Sequence, residues 1–432
     1  MLVAGFLLAV SGMNDASARS PGSSLARDGG SATRTIGTEL DRGVSPSTSR
    51  PETQRTSTGP FPDEGDPSSP TVVATVPVGS DPFSVAYVTP TGRVYVTNID
   101  SKDVSVISGT TDTVMATVLV GTGPEGAVYD AATDEVFVTN ILSGNVSVIT
   151  DTTEAVVATV PVGLGPEGAA YDAGTSQVFV ANVDSNNVSV ISGTTDTVVA
   201  TVPVGTGPEG AAYDAAKGEV FVTNFYSDDV SVLSDATDSV VATIPVGTGP
   251  EGVTYDAARG EVFVTNYYSN DSSVISDSTN AVVATVPVGT FPRAATYDPA
   301  TGQVLVTNSG SDNLSVIDDA THRVTETVPV GPSPVGAAFD AGKNELFVAE
   351  LTSNSVIVIS LPPPTNPSTN EAYYVAVGVG VGLAAAIAAM VIVRWRRNRN
   401  AEPFSLEELF ADEPPPSPDE PTEDEPTPSG PR

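Results

Sequence analysis

The sequence predicts an all-β chain, a seven-bladed β-propeller with four antiparallel strands per blade, and three observations predict it. First, a 42-residue unit repeats seven times between residues 71 and 360 without insertion or deletion, its register marked by Gly79, Gly121, Gly163, Gly205, Gly247, Gly289 and Gly331. Periods of this length belong to arrays, solenoids and propellers. Second, each unit holds four short runs of alternating apolar residues separated by Gly, Asp, Asn and Ser, which are strand and turn signals. Third, the region opens on one kind of run and closes on the other three.

The copy beginning at Val198 shows the four runs in order. Residues 198–204, VVATVPV, carry a proline that recurs at Pro77, Pro161, Pro203, Pro245, Pro287 and Pro329. Proline removes a ladder donor and is confined to edges, so this run is the outermost strand. Residues 210–214, GAAYD, are small in most copies, as at Ala127, Ala169, Ala170, Ala211, Ala212, Ala337 and Ala338. Blades converge on an axis, so the run with least bulk is the innermost. Residues 219–224, EVFVTN, restore bulk at Phe137, Phe179, Phe221, Phe263 and Phe347, and 230–234, VSVLS, follow. Four strands per unit of this length make a propeller blade.

The order of runs predicts how the ring closes. The repeat region starts with an outermost strand at 71–78 and closes with an inner trio whose last run is 355–360. Seven outer strands and seven trios balance only if the first strand completes the seventh blade.

The third run contains the tetrad Tyr95-Val96-Thr97-Asn98, and its other copies read FVTN at 137–140, 221–224 and 263–266, FVAN at 179–182, LVTN at 305–308 and FVAE at 347–350. With the recurring VPVG and YD elements, residues 71–360 resemble the YVTN family of β-propeller repeats. The resemblance implies seven blades and a place among surface-layer-like proteins and cell-surface antigens of archaea and bacteria. Relatives in the wider superfamily include lactonases and haem or quinone enzymes. Fold alone does not choose among these roles.

Charge and composition narrow the partners. Net charge is −35, and residues 71–360 hold 34 acidic against 7 basic residues. Such a field repels nucleic acid and anionic lipid and attracts cations and basic partners. The chain has no cysteine, so packing and backbone pairing must supply its stability.

The flanks predict export and anchoring. Residues 1–18 resemble a signal peptide, with the apolar run LVAGFLLAV and a small-x-small site at Ala16-Ser17-Ala18, although the basic leading region is missing. Residues 19–70 are rich in Ser, Thr, Gly and Pro and are expected to form a disordered stalk. After a linker at 361–371, residues 372–393 are uncharged and apolar for 22 positions, enough to span a hydrocarbon core of about 30 Å. Arg394, Arg396, Arg397 and Arg399 follow, which predicts a cytoplasmic C-terminus and an extracellular propeller in a single-pass protein of the cell membrane. Residues 394–432 thus read as a basic stop-transfer segment followed by an acidic, Pro-rich cytoplasmic tail.

Departures from the repeat indicate where a site is expected. In a propeller the loop entering each inner strand and the loop between second and third strands share one face, here termed the top. After the proline of the entering loop the copies read Phe83, Glu125, Glu167, Glu209, Glu251, Arg293 and Val335. Four adjacent blades thus set a carboxylate at the channel mouth. Such an arc suits Ca²⁺ or another hard cation, which takes oxygen ligands; repeat duplication with the carboxylates in water gives the same pattern. The second top loop offers Phe225 and Tyr226 on one blade and Tyr267 and Tyr268 on the next, rings suited to a glycan or a protein surface. The Asn series from Asn98 to Asn308 recurs too faithfully for a site and reads as turn-capping. His322, the single histidine, falls between the inner-strand trio and the outer strand run, in what reads as a blade-connecting loop, which argues against a haem or a histidine base in the channel. Asn145, Asn187, Asn270 and Asn313 begin N-glycosylation sequons.

These features predict a non-catalytic binding, adhesion or surface-layer module that engages a surface glycan, a protein or neighbouring copies of itself, with no cofactor unless Ca²⁺ is held. The alternative is a metal-dependent, lactonase-like hydrolase working through the mouth carboxylates.

Overall fold

The computed structural model describes residues 69–362. The predicted signal peptide, the stalk, the transmembrane span and the tail lie outside these residues. Within them, 28 strands form seven four-stranded antiparallel sheets, the blades of a propeller. Blade four is typical: inner strand Pro208–Asp214, second strand Glu219–Asn224, third strand Asp229–Ser234 and outer strand Ser239–Pro245. Blade one starts at Pro82, and the count follows the chain to blade seven, which starts at Pro334.

Ring closure is the predicted one. In blade seven the order is Thr71–Pro77, Ser355–Ser360, Glu345–Glu350, Pro334–Asp340, so the N-terminal strand is the fourth strand of the last blade. It pairs antiparallel with Ser355–Ser360, from Thr71 opposite Ser360 to Pro77 opposite Ser355. Val76 is buried there, and the Val78 N–H donates to Asn354 O at 3.0 Å.

The core lies between sheets, not within any one of them. Phe221 of blade four packs with Val230, Val232 and Ile244 of its own blade and with Val262, Val264 and Ile275 of blade five. Phe137, Phe179, Phe263 and Phe347 are likewise fully buried. Burying a side chain of this size contributes about 2–3 kcal/mol, so the seven interfaces dominate stability.

Near the axis the backbones themselves collide unless the side chain is absent. A Cβ placed on Gly126 would lie 2.1 Å from Glu167 O of the next blade, and one on Gly252 would lie 2.2 Å from Arg293 O. This explains the small inner strand.

The faithfully repeated Thr of the third run turns out to lace blade to blade. Thr223 Oγ1 accepts the Gly210 N–H of its own inner strand at 2.8 Å and donates to Glu251 O of blade five at 2.7 Å. Thr97, Thr139, Thr265 and Thr307 donate likewise to Glu125 O, Glu167 O, Arg293 O and Val335 O. Ala181 and Ala349 stand where blades three and seven lack this hydroxyl.

The Asn series is structural, but not by capping its own turn. Asn224 Nδ2 donates to Asp229 Oδ1 at 2.7 Å and to Ser231 Oγ at 2.9 Å, joining second to third strand. The repeat glycine lies directly over it: a Cβ on Gly205 would sit 2.6 Å from the Asn224 amide.

Candidate functional site

Each mouth residue sits on a β-bulge. The inner strand of blade four shifts register between Pro208 and Ala211, so Glu209 falls on the extra residue. A bulge re-aims a side chain out of the ladder. The same shift occurs in all seven inner strands, and it turns the residues after the prolines toward the axis.

The structure gathers the predicted mouth residues around one cavity of about 130 Å³, walled by Phe83, Glu125, Glu167, Glu209, Glu251, Arg293 and Val335. Arg293 Nη1 bonds Glu251 Oε1 at 2.8 Å. Glu251 is only 8% exposed, and its Oε2 has no partner. Four carboxyls therefore share one guanidinium. Burial and mutual repulsion push the Glu125 carboxyl up to about 7 and the Glu209 carboxyl up to about 11. Burial, with the nearby Glu125 and Glu251 charges, holds Glu167 well above the usual carboxylate range. Burial raises Glu251 too, opposed by the Arg293 charge. The mouth thus stores protons near neutral pH.

Among the described residues, no three acidic or histidine side chains stand close enough to hold a metal ion. The mouth carboxylates, read as suited either to a hard cation or to water, are thus not gathered into such a group.

The aromatic residues do converge. Phe225 meets Tyr226 edge-on at 5.2 Å between ring centroids and lies 5.5 Å from Tyr268 of the next blade; Tyr267 meets Tyr268 at 5.1 Å. Tyr226 is 67% exposed and Tyr268 58%. Their loops are fixed frames: Phe225 N–H bonds Gly207 O at 2.7 Å, Tyr226 N–H bonds Thr206 O at 3.0 Å, and Tyr267 N–H bonds Gly249 O at 2.8 Å.

Phe291, which the sequence reading passed over, is a fifth ring. It stacks on Tyr267 at 4.8 Å with planes 14° apart. Its φ is 53°, whereas blades two to five place Gly123, Gly165, Gly207 and Gly249 at this left-handed position. A bulky side chain there costs roughly 1–2 kcal/mol, the kind of strain that accompanies function. The signal was visible as GTFP where the repeat reads GTGP.

The two clusters meet at Arg293, whose guanidinium carbon lies 4.8 Å from the Tyr267 ring centroid while its head holds Glu251. Mouth and rim are one continuous surface on blades four to six.

The remaining candidates have structural employment. Asn145, Asn187 and Asn313 accept the amides of Asn140, Asn182 and Asn308 at 2.9 Å, and Asn270 Oδ1 accepts the Phe291 N–H at 2.8 Å. His322 does not join two blades in sequence. It occupies the turn between the third and outer strands of blade six, where Nε2 meets Glu261 Oε2 of blade five at 2.9 Å.

No protein-family model matches the chain, and no curated protein matches it. Among solved structures it is similar to Kuenenia stuttgartiensis hydrazine synthase, with 17% sequence identity and a TM-score of 0.59 over 64% of this chain and 95% of that one. At that identity the likeness shows the propeller fold and carries nothing of that enzyme's chemistry to this chain.

Proposed function

We propose that the chain is a YVTN-type propeller, anchored in the cell membrane by residues 372–393 and displayed outside, that acts as a non-catalytic binding module. Its ligand, a surface glycan, a protein or a neighbouring copy, docks on the top face at blades four to six. The single observation that carries this reading is the five-ring cluster of Phe225, Tyr226, Tyr267, Tyr268 and Phe291. Blades two to five keep glycine at the left-handed loop position, yet blade six accepts a Phe there that completes the cluster. Exposed rings in rigid loops supply contact area at low entropic cost, which suits recognition. The acidic field of the propeller favours basic or neutral partners over anionic ones.

A glycan array and a cell-surface pull-down with the full-length chain test the reading. Capture is expected from the wild-type chain and lost with Tyr226→Ala/Tyr268→Ala. Equal capture by the double variant would place binding elsewhere or abolish the proposal.

A further inference from the structure

We propose that the channel mouth is a receptor for an organic ammonium ion carried on an apolar body, either a free alkylamine or a lysine side chain of a partner. The inference rests on the top face being a binding surface and names the chemistry of what enters it. Three features of the cavity carry it.

The first is a mismatch of donors and acceptors. Glu125, Glu167, Glu209 and Glu251 face one guanidinium, and Arg293 spends its contact on Glu251 Oε1. Glu251 Oε2 is left buried without a partner. A deeply buried carboxylate oxygen without a donor is costly, and an ammonium supplies three donors and no acceptor. The one unpartnered donor, Arg293 Nε, is buried on a guanidinium already bound to Glu251, and an anion would meet three further carboxyls.

The second is the two-sided wall. The acidic arc covers blades two to five, while blades seven and one present Val335 and Phe83. A bare metal ion uses oxygen ligands all round and gains nothing from an apolar wall. No three acidic or histidine groups among the described residues are placed to coordinate one. An alkylammonium uses both halves: its head meets the carboxylates and its carbons lie on Phe83 and Val335.

The third is the precedent inside the site. Arg293 already rests its charge on the Tyr267 ring and in Glu251 together. Ring faces beside carboxylates bind cations, more strongly when desolvated.

Proton linkage gives the inference its signature. The mouth carboxyls are held up by burial and mutual repulsion, Glu125 to about 7, so a cation entering near neutrality displaces protons. Binding therefore strengthens as pH rises from 5 to 8.

The test is calorimetric titration of the full-length chain with n-butylammonium, against n-butanol as neutral analogue, sodium chloride as bare cation, glutarate as anion and acetyl-Gly-Lys-Gly-amide as peptide. The expected result is saturable butylammonium binding that releases protons, measured from the buffer dependence of the heat. Glu167→Gln and Glu209→Gln are each expected to weaken it about tenfold. Both are near-isosteric, and an unchanged far-ultraviolet circular dichroism spectrum with a single cooperative melting transition confirms that they fold. Peptide binding tighter than butylammonium identifies a protein lysine as the source; the reverse order identifies a free amine. Absence of saturable binding in the millimolar range, equal binding by both variants, or preference for glutarate would overturn the inference. If amine binding fails while Tyr226→Ala/Tyr268→Ala still abolishes surface capture, the inference falls alone and the binding-module reading stands.

Discussion

The threonine lacing makes a prediction with internal controls, because five blades have it and two do not. Thr223→Val keeps shape and removes the hydroxyl. It deletes the Gly210 N–H···Oγ1 bond of 2.8 Å and the Oγ1–H···Glu251 O bond of 2.7 Å, both near the axis. A net hydrogen bond is worth about 1 kcal/mol, and a buried group left without its partner costs about 1–3 kcal/mol, so the variant is expected to lose about 2–3 kcal/mol. The reverse change is Ala181→Thr, at a fully buried position whose neighbouring carbonyl, Glu209 O, receives no such hydroxyl. It is expected to gain about 1 kcal/mol, or about 2 °C in melting temperature for a ring of this size.

Urea denaturation followed by circular dichroism measures both. A fall in midpoint for Thr223→Val with unchanged slope, and a rise for Ala181→Thr, are the predicted results. If Thr223→Val is neutral, or Ala181→Thr is destabilising, the hydroxyl does not tie the blades and the reasoning is refuted. The consequence reaches the site, because the carbonyls tied by Thr97, Thr139, Thr223 and Thr265 belong to Glu125, Glu167, Glu251 and Arg293.

Three further outcomes follow from the same geometry. Ser272 occupies a fully buried third-strand position held by Val104, Val146, Val188 and Val230 in other blades, and its Oγ has no partner; Ser272→Val is expected to stabilise by about 1–3 kcal/mol in thermal denaturation. Removing residues 71–77 opens the edge of blade seven, and a sharp drop in melting temperature is expected from the lost ladder and Val76, whereas an unchanged transition would mean the clasp is idle. The mouth carboxyls have folded-state values raised above 4.5, so the folded chain binds more protons than the unfolded chain; stability is full below about pH 4.5 and declines as pH rises through about 7 for Glu125 and on toward about 11 for Glu209. Glu209→Gln should flatten that decline in a series of melts from pH 4 to 9.

Architecture was legible because it repeats. The small inner run, the edge prolines and the unequal ends of the repeat region each reflect a local steric or pairing rule, and together they predict the Thr71–Pro77 clasp that the sheet order displays. The mouth residues were legible as departures at one repeat position. What escaped was whatever depends on contact across blades. Thr223 reads as an ordinary strand residue until Glu251 O lies beside it, 28 residues on. Phe291 stands apart from the Phe225–Tyr226 and Tyr267–Tyr268 pairs in sequence, and only the curvature of the ring brings it onto Tyr267. A shared repeat position puts the mouth carboxylates on one circle but does not by itself bring three of them together, and among the described residues no such group forms.

The central claim is that recognition belongs to blades four to six of the top face. It is tested most directly by parallel cell-surface pull-downs with the full-length wild-type chain, Tyr226→Ala/Tyr268→Ala, and Leu142→Ala, which truncates an equally exposed side chain in the same loop of blade two. The tyrosine variant is expected to lose capture while Leu142→Ala keeps it. Capture retained by the tyrosine variant, or lost equally in both, would contradict it.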